Sequence, residues 1–176
     1  MKLERCGIHL RPYEVENAQQ FYDWFYSGKY DDYFRHCEQA FRLADFQRFT
    51  ESPSFKIFCI FKNETRELIG TCGIYDINAN DRSCKLMALI DEKNQCQANM
   101  PAALILLGEI AIIKHGFHKL SVDVMTTNER LNRIIIENGW IKESTLIDSC
   151  WLDGRWVNEN VYYMLEDTFR KLHYKK

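Results

Sequence analysis

The period of the apolar positions changes repeatedly along the chain, and each change predicts a new element. Residues 8–11 alternate apolar and polar as a strand closed by Pro12, and residues 15–25 place Ala18, Phe21, Trp24 and Phe25 on roughly one helical face, ended by Ser27-Gly28. A second helical pattern over 43–49 stops before Pro53. Residues 55–61 and 68–77, rich in β-branched and aromatic side chains, flank the polar turn 62–65 as a hairpin would. Asn78-Ala79-Asn80-Asp81 then turns the chain into a strand over 84–90. Residues 101–113 are almost wholly apolar with Glu109 the only charge, which predicts a helix buried on most sides, with Pro101 at its first position and Gly116 just past its end. A strand over 120–125, a helix over 129–138 stopped by Gly139, and two strands over 141–152 and 155–165 complete the pattern. The dipeptide between those last strands, Asp153-Gly154, is a type I′ hairpin signal.

These elements add up to an α/β (α+β) fold. Antiparallel hairpins precede the buried helix, a strand-helix-strand crossover surrounds it, and a hairpin closes the chain. No linker or repeat interrupts the 176 residues, and 46% hydrophobic content suits one core, so a single domain over 1–176 is expected. The apolar helix is shorter than the roughly 20 residues of a membrane span. A net charge of -2 gives no general attraction for nucleic acid, and the basic run Arg170, Lys171, Lys175 and Lys176 reads as a solvated end. The seven cysteines form no C-x-x-C pair and no metal-ligand spacing, and read as reduced, mostly buried side chains. No apolar leader segment follows Met1, so a cytoplasmic protein is expected and the sequon at Asn63 is idle.

Between the strand over 84–90 and the buried helix lies the segment Asp91 to Pro101, where a helix N-terminus could face an anion. The element order, the helix led by Thr127-Asn128-Glu129-Arg130 and ended by Glu137-Asn138-Gly139-Trp140, and the hairpin Trp151-Leu152-Asp153-Gly154-Arg155-Trp156 together resemble the GCN5-related N-acetyltransferase (GNAT) superfamily. The branch that acetylates ribosomal-protein N-termini and spermidine is the most similar. The resemblance runs from Ile8 to Leu165 and implies a GNAT-like mixed, mostly antiparallel twisted sheet with helices on both faces.

It also implies acetyl-CoA as cofactor, with the pyrophosphate held by Gln95, Cys96, Gln97, Ala98 and Asn99, and the pantetheine arm by Asn128 and the backbone of Leu89 and Ile90. The family's loop pattern, Gln/Arg-x-x-Gly-x-Gly/Ala, is altered here: its first glycine is Ala98 and its last small residue is Met100. If the loop needs a positive φ at Ala98, the cost is about 1 kcal/mol or more. The strand position often held by a glutamate base is Lys85, and the helix positions of the tyrosine acid and an earlier serine are Ile135 and Leu131. Asp123 is the nearest remaining carboxylate that could act as base, although a solvent-facing strand carboxylate is the plainer expectation. For Asn128 the plainer reading is a helix N-cap.

Tyr30, Asp31 and Asp32 are candidates for holding a cationic acceptor amine, with helix capping as the plainer role of Asp32. His36-Cys37 lacks a third orienting residue for nucleophilic catalysis, and His115 and His118 suit a helix end rather than a metal. Two functions follow. One is an N-acetyltransferase acting on a protein N-terminus or a polyamine. The other is a GNAT-like protein without catalysis, binding protein partners or assembling with itself, as in a phage particle, through aromatics such as Trp151 and Trp156. On that second reading its location would be host cytoplasm or virion.

Overall fold

The computed structural model describes residues 3–26, 54–96 and 98–174. The helix expected over 43–49, the acceptor candidates Tyr30, Asp31 and Asp32, the pair His36-Cys37, and Gln97 all lie outside them.

Eight strands form one sheet: β1 (Glu4–Arg5), β2 (Ile8–Pro12), β3 (Lys56–Lys62), β4 (Leu68–Asn78), β5 (Ser83–Ile90), β6 (Lys119–Met125), β7 (Ile141–Leu152) and β8 (Arg155–Leu165). Their order is β1-β2-β3-β4-β5-β6-β8-β7, and only β5 and β6 run parallel. The turn chemistry explains the antiparallel pairs. Asp153 and Gly154 take the positive φ values of 47° and 77° that a type I′ turn requires, and Asn78 Oδ1 accepts from the Asp81 backbone N–H at 2.9 Å between β4 and β5.

The parallel pair needs a crossover, which α2 (Asn99–Gly108) supplies. Nearly all of α2 is buried, and below Gly108 it opens into a π-helical stretch, Glu109–Lys114. The helix therefore begins two residues before the expected start, which makes Pro101 its third residue. The ring is tolerated there because the first four N–H groups of a helix have no partner inside it. Helix α1 (Ala18–Tyr26) begins after a single 3-10 turn, Val15–Asn17, where a continuous helix was expected. Glu129–Glu137 forms α3, and Glu166–His173 forms α4. None of the described helices is long and apolar enough to cross a membrane.

Helices cover both faces of the sheet. Phe21 and Trp24 of α1 pack with Phe55, Ile57, Cys59 and Leu89 on one face. On the other, α2, Ile135 of α3 and Phe169 of α4 share a larger cluster with Ile60, Ile74, Leu86 and Val122.

Helix α4 carries the first two residues of the expected solvated basic end, while Lys175 and Lys176 lie outside the described residues. Arg170 and Lys171 are exposed, but they ride on a helix whose Phe169 is 2% exposed. The ring lies so close to Gly108 that a Cβ there would sit 2.3 Å from Phe169 Cε2, so the missing side chain in α2 is what admits it. Arg170 also donates to Glu166 at 2.8 Å one turn earlier. Phe169→Ala is expected to lower unfolding free energy by about 3–5 kcal/mol in denaturant titration, whereas a peripheral tail would give no change.

Candidate functional site

Pairing between β5 and β6 lasts only three residues, Ser83↔Lys119, Cys84↔Leu120 and Lys85↔Ser121. Beyond Lys85 the strands part, while β5 stays paired to β4 as far as Gly70↔Ile90. One edge of β5 thus faces a cleft. Gly70 permits this close seating of the strand end, because a Cβ there would lie 2.2 Å from the Leu89 carbonyl oxygen.

The cleft holds a pocket with mostly apolar walls. Ala88, Leu89 and Ile90 of β5 form one side, Leu131 and Ile134 of α3 the other, and Met100 of α2 contributes an edge. Gln95, Cys96, Asn128 and Arg130 are its polar lining. Gln95 spans it: Nε2 donates to the Ile90 carbonyl at 3.1 Å, and Oε1 accepts from Arg130 Nη1 at 3.1 Å. The second terminal nitrogen of Arg130, Nη2, donates to the Gln95 main-chain carbonyl.

The segment before α2 is held from within. Asn99 Nδ2 donates to the Asn94 carbonyl at 2.8 Å, and both residues are buried. Ala98 has φ -88° and ψ -31°. This corrects the expected strain, since a right-handed residue needs no glycine. Met100 packs partly against the main core, so its bulk is shared between core and pocket wall.

On the far side, Asn128 Oδ1 accepts from the Leu131 N–H at 3.0 Å, the N-cap geometry of α3. Asn132 fastens the same turn to the sheet. Its Nδ2 donates to the Met125 carbonyl at 2.9 Å, and its Oδ1 accepts from Tyr162 Oη at 2.7 Å and Asn160 Nδ2 at 2.8 Å. Burial raises the Tyr162 phenol above its ordinary value, which keeps it a neutral donor.

At the last β5–β6 pair, where the strands begin to part, Lys85 Nζ donates to Asp123 Oδ2 at 2.8 Å and lies 3.8 Å from Asp76 Oδ2. The Asp123 side chain is 13% exposed, and its Oδ1 is buried without a hydrogen-bond partner. Asp123 is therefore not the solvent-facing carboxylate expected. Lys85, at the strand position where the resemblance places a glutamate, instead pairs with this carboxylate. Ile135 is buried in the core and Leu131 lines the pocket.

Of the cofactor candidates, Leu89, Ile90, Gln95, Cys96 and Asn128 line one pocket, while Ala98 is exposed beside it and Asn99 serves the loop's internal bond. Arg130 was missed. The available signal was a cation two residues after the helix-leading Asn128.

The sequence model of the Acetyltransferase (GNAT) domain family matches residues 8–141. The chain belongs to the GNAT family. This GNAT chain is 24% identical to the probable N-acetyltransferase YjcK of Bacillus subtilis (strain 168) over 169 residues, covering 90% of this chain and 93% of the relative. Its fold is similar to spermidine N-acetyltransferase of Vibrio cholerae in complex with CoA and spermine, with TM-score 0.85, 16% identity, and coverage of 93% and 98% of the two chains. A dodecameric structure of spermidine N-acetyltransferase from the same organism matches with TM-score 0.79 at 16% identity over 97% and 99%.

The thiols of this GNAT protein divide by burial. Burial pushes Cys59 up to about 11 and Cys84 up to about 12, and raises Cys72 well above the ordinary range, whereas Cys96 in the pocket and Cys6 are exposed. Since the thiolate is the nucleophile, iodoacetamide on the folded protein is expected to modify Cys96 and Cys6 and to spare Cys59, Cys72 and Cys84. Peptide mass spectrometry reads the pattern, and rapid labelling of Cys84 would contradict it.

Proposed function

We propose that this protein is an acetyl-CoA-dependent N-acetyltransferase acting on a primary amine, either a protein N-terminus or a polyamine. The observation that carries this reading is the cleft where β5 leaves β6. It has an apolar wall and an unpaired strand edge, and a partly buried carboxylate, Asp123, stands on β6 two residues past the last β5–β6 pair.

An extended amide-bearing arm suits that edge, since backbone groups of a strand pair with a peptide-like ligand as with an added strand. Leu89 and Ile90 would hold the arm with Asn128. Gln95, Cys96, Gln97, Ala98 and Asn99 would hold its phosphate end. Acetyl-CoA supplies an activated thioester when bound. Asp123 is the proposed base. Lys85 fixes Oδ2 and leaves Oδ1 to take the proton released as the amine attacks the acyl carbon. Ile135 and Leu131 can donate no proton, so the departing thiolate takes its proton from water.

The spermidine N-acetyltransferases of the same fold make a polyamine the first acceptor to test. Tyr30, Asp31 and Asp32 are proposed to hold its cationic end. The right-handed Ala98 removes one reason for reading the loop as non-functional. A second observation favours contact between protein chains, in addition to catalysis. Trp151 and Trp156 are 51% and 58% exposed and pack edge to face with centroids 5.1 Å apart. Such exposed aromatics are enriched at interfaces, and self-assembly through this hairpin is the proposal. We place the protein in the cytoplasm.

Acetyl-CoA at 100 times its dissociation constant is expected to stabilise the fold by about 2.7 kcal/mol, read as a higher thermal midpoint. It should also shield Cys96 from alkylation. With spermidine as acceptor, Asp123→Asn is expected to lower turnover about 10²- to 10⁴-fold with cofactor binding retained. No thermal shift at millimolar acetyl-CoA would sink the enzyme reading. For assembly, light scattering should show a multimer that Trp151→Ala/Trp156→Ala reduces; a monomer at every concentration would exclude it.

A further inference from the structure

We propose that Arg130 is the phosphate-recognising residue of the cleft, a reading that rests on acyl-CoA being the ligand. Arg130 is the one charged side chain among the described residues that line the pocket. No carboxylate neutralises it within the described residues. Its hydrogen bonds go to two oxygens of Gln95, which are neutral acceptors. A guanidinium has five N–H donors. Two are used, so the group is held in place with donors and a whole positive charge still to offer.

Gln95 is the positioning residue. It is tied to the end of β5 through the Ile90 carbonyl at 3.1 Å, so the chain Ile90–Gln95–Arg130 reaches across the cleft from strand to helix. Asn128, as N-cap, and Asn132, bonded to β6 and β8, fasten the first turn of α3 from which Arg130 projects. The cation therefore stands at a set place on the pocket wall.

The walls and the cation select different parts of one ligand. Leu89, Ile90, Met100, Leu131 and Ile134 suit an apolar arm, and a planar guanidinium fork matches phosphate oxygens in pairs. Just after the loop, Pro101 removes one N–H from the first turn of α2. Arg130 supplies side-chain donors beside that turn.

Calorimetry with acetyl-CoA, S-acetylpantetheine (which has no phosphate) and inorganic phosphate tests this on the native protein and on the Arg130→Ala and Arg130→Lys variants. Thermal melts confirm folding. Arg130→Ala is expected to weaken acetyl-CoA about 10- to 100-fold, with S-acetylpantetheine changed less than about twofold and Arg130→Lys between the two. Native binding of acetyl-CoA should also weaken with salt more steeply than that of the alanine variant.

If Arg130→Ala binds acetyl-CoA as well as the native protein does, the proposal fails. Equal weakening of acetyl-CoA and S-acetylpantetheine would also overturn it, because Arg130 would then only staple the loop. Inorganic phosphate binding to native and alanine protein alike would place the anion elsewhere. If the native protein binds no acetyl-CoA, the acyl-CoA reading falls and takes this proposal with it.

Discussion

The structure depends on a parallel ladder that stops after three pairs. Parallel strands need a crossover helix, here buried on nearly every side, and β5 and β6 are paired at one end only. Where they part, β5 keeps β4 as a neighbour and loses β6. An open strand edge inside a fold is costly unless its polar groups find partners.

One carbonyl of that edge has a side-chain partner, and two further sets of bonds hold the surrounding elements. At the upper end, Gln95 Nε2 takes the Ile90 carbonyl and is itself held by Arg130. At the last β5–β6 pair, Lys85 and Asp123 form a partly buried ion pair across the two strands. Such a pair contributes modestly to stability because desolvation offsets much of the attraction. Its value lies in geometry: one carboxylate oxygen is fixed and the other is left without a partner. On the third side the first turn of α3 is sewn to β6 and β8 through Asn128 and Asn132, which gives the cleft a firm wall.

Replacement of motif residues has different consequences at different positions. Ala98 occupies a glycine position but adopts φ -88°, so the backbone there does not need glycine's freedom. Met100 spends part of its volume on the core. Lys85 carries the wrong charge for a base and the right one for orienting Asp123. Ile135 lies in the core, where a hydroxyl would need a partner. A sequence motif records which residue types recur, while the backbone angles and burial at each position decide what a change costs.

The sequence by itself determined most of the fold, for physical reasons local to each element. The closing hairpin was legible to the residue because Asp153-Gly154 imposes one turn geometry on alternating strands. The crossover was legible because a stretch apolar on every side has to be buried. Helix α4 was not, since its one buried ring, Phe169, sits among charged residues and gains its place only through the space at Gly108. The site divided in the same way. Leu89, Ile90, Gln95, Cys96 and Asn128 were named from their places in the pattern. The Lys85–Asp123 pair and the reach of Arg130 to Gln95 join residues 38 and 35 positions apart. Only the tertiary structure brings those side chains together: the pairing of β5 with β6 at Lys85↔Ser121 joins the first two, and the packing of α3 beside the segment after β5 joins the others.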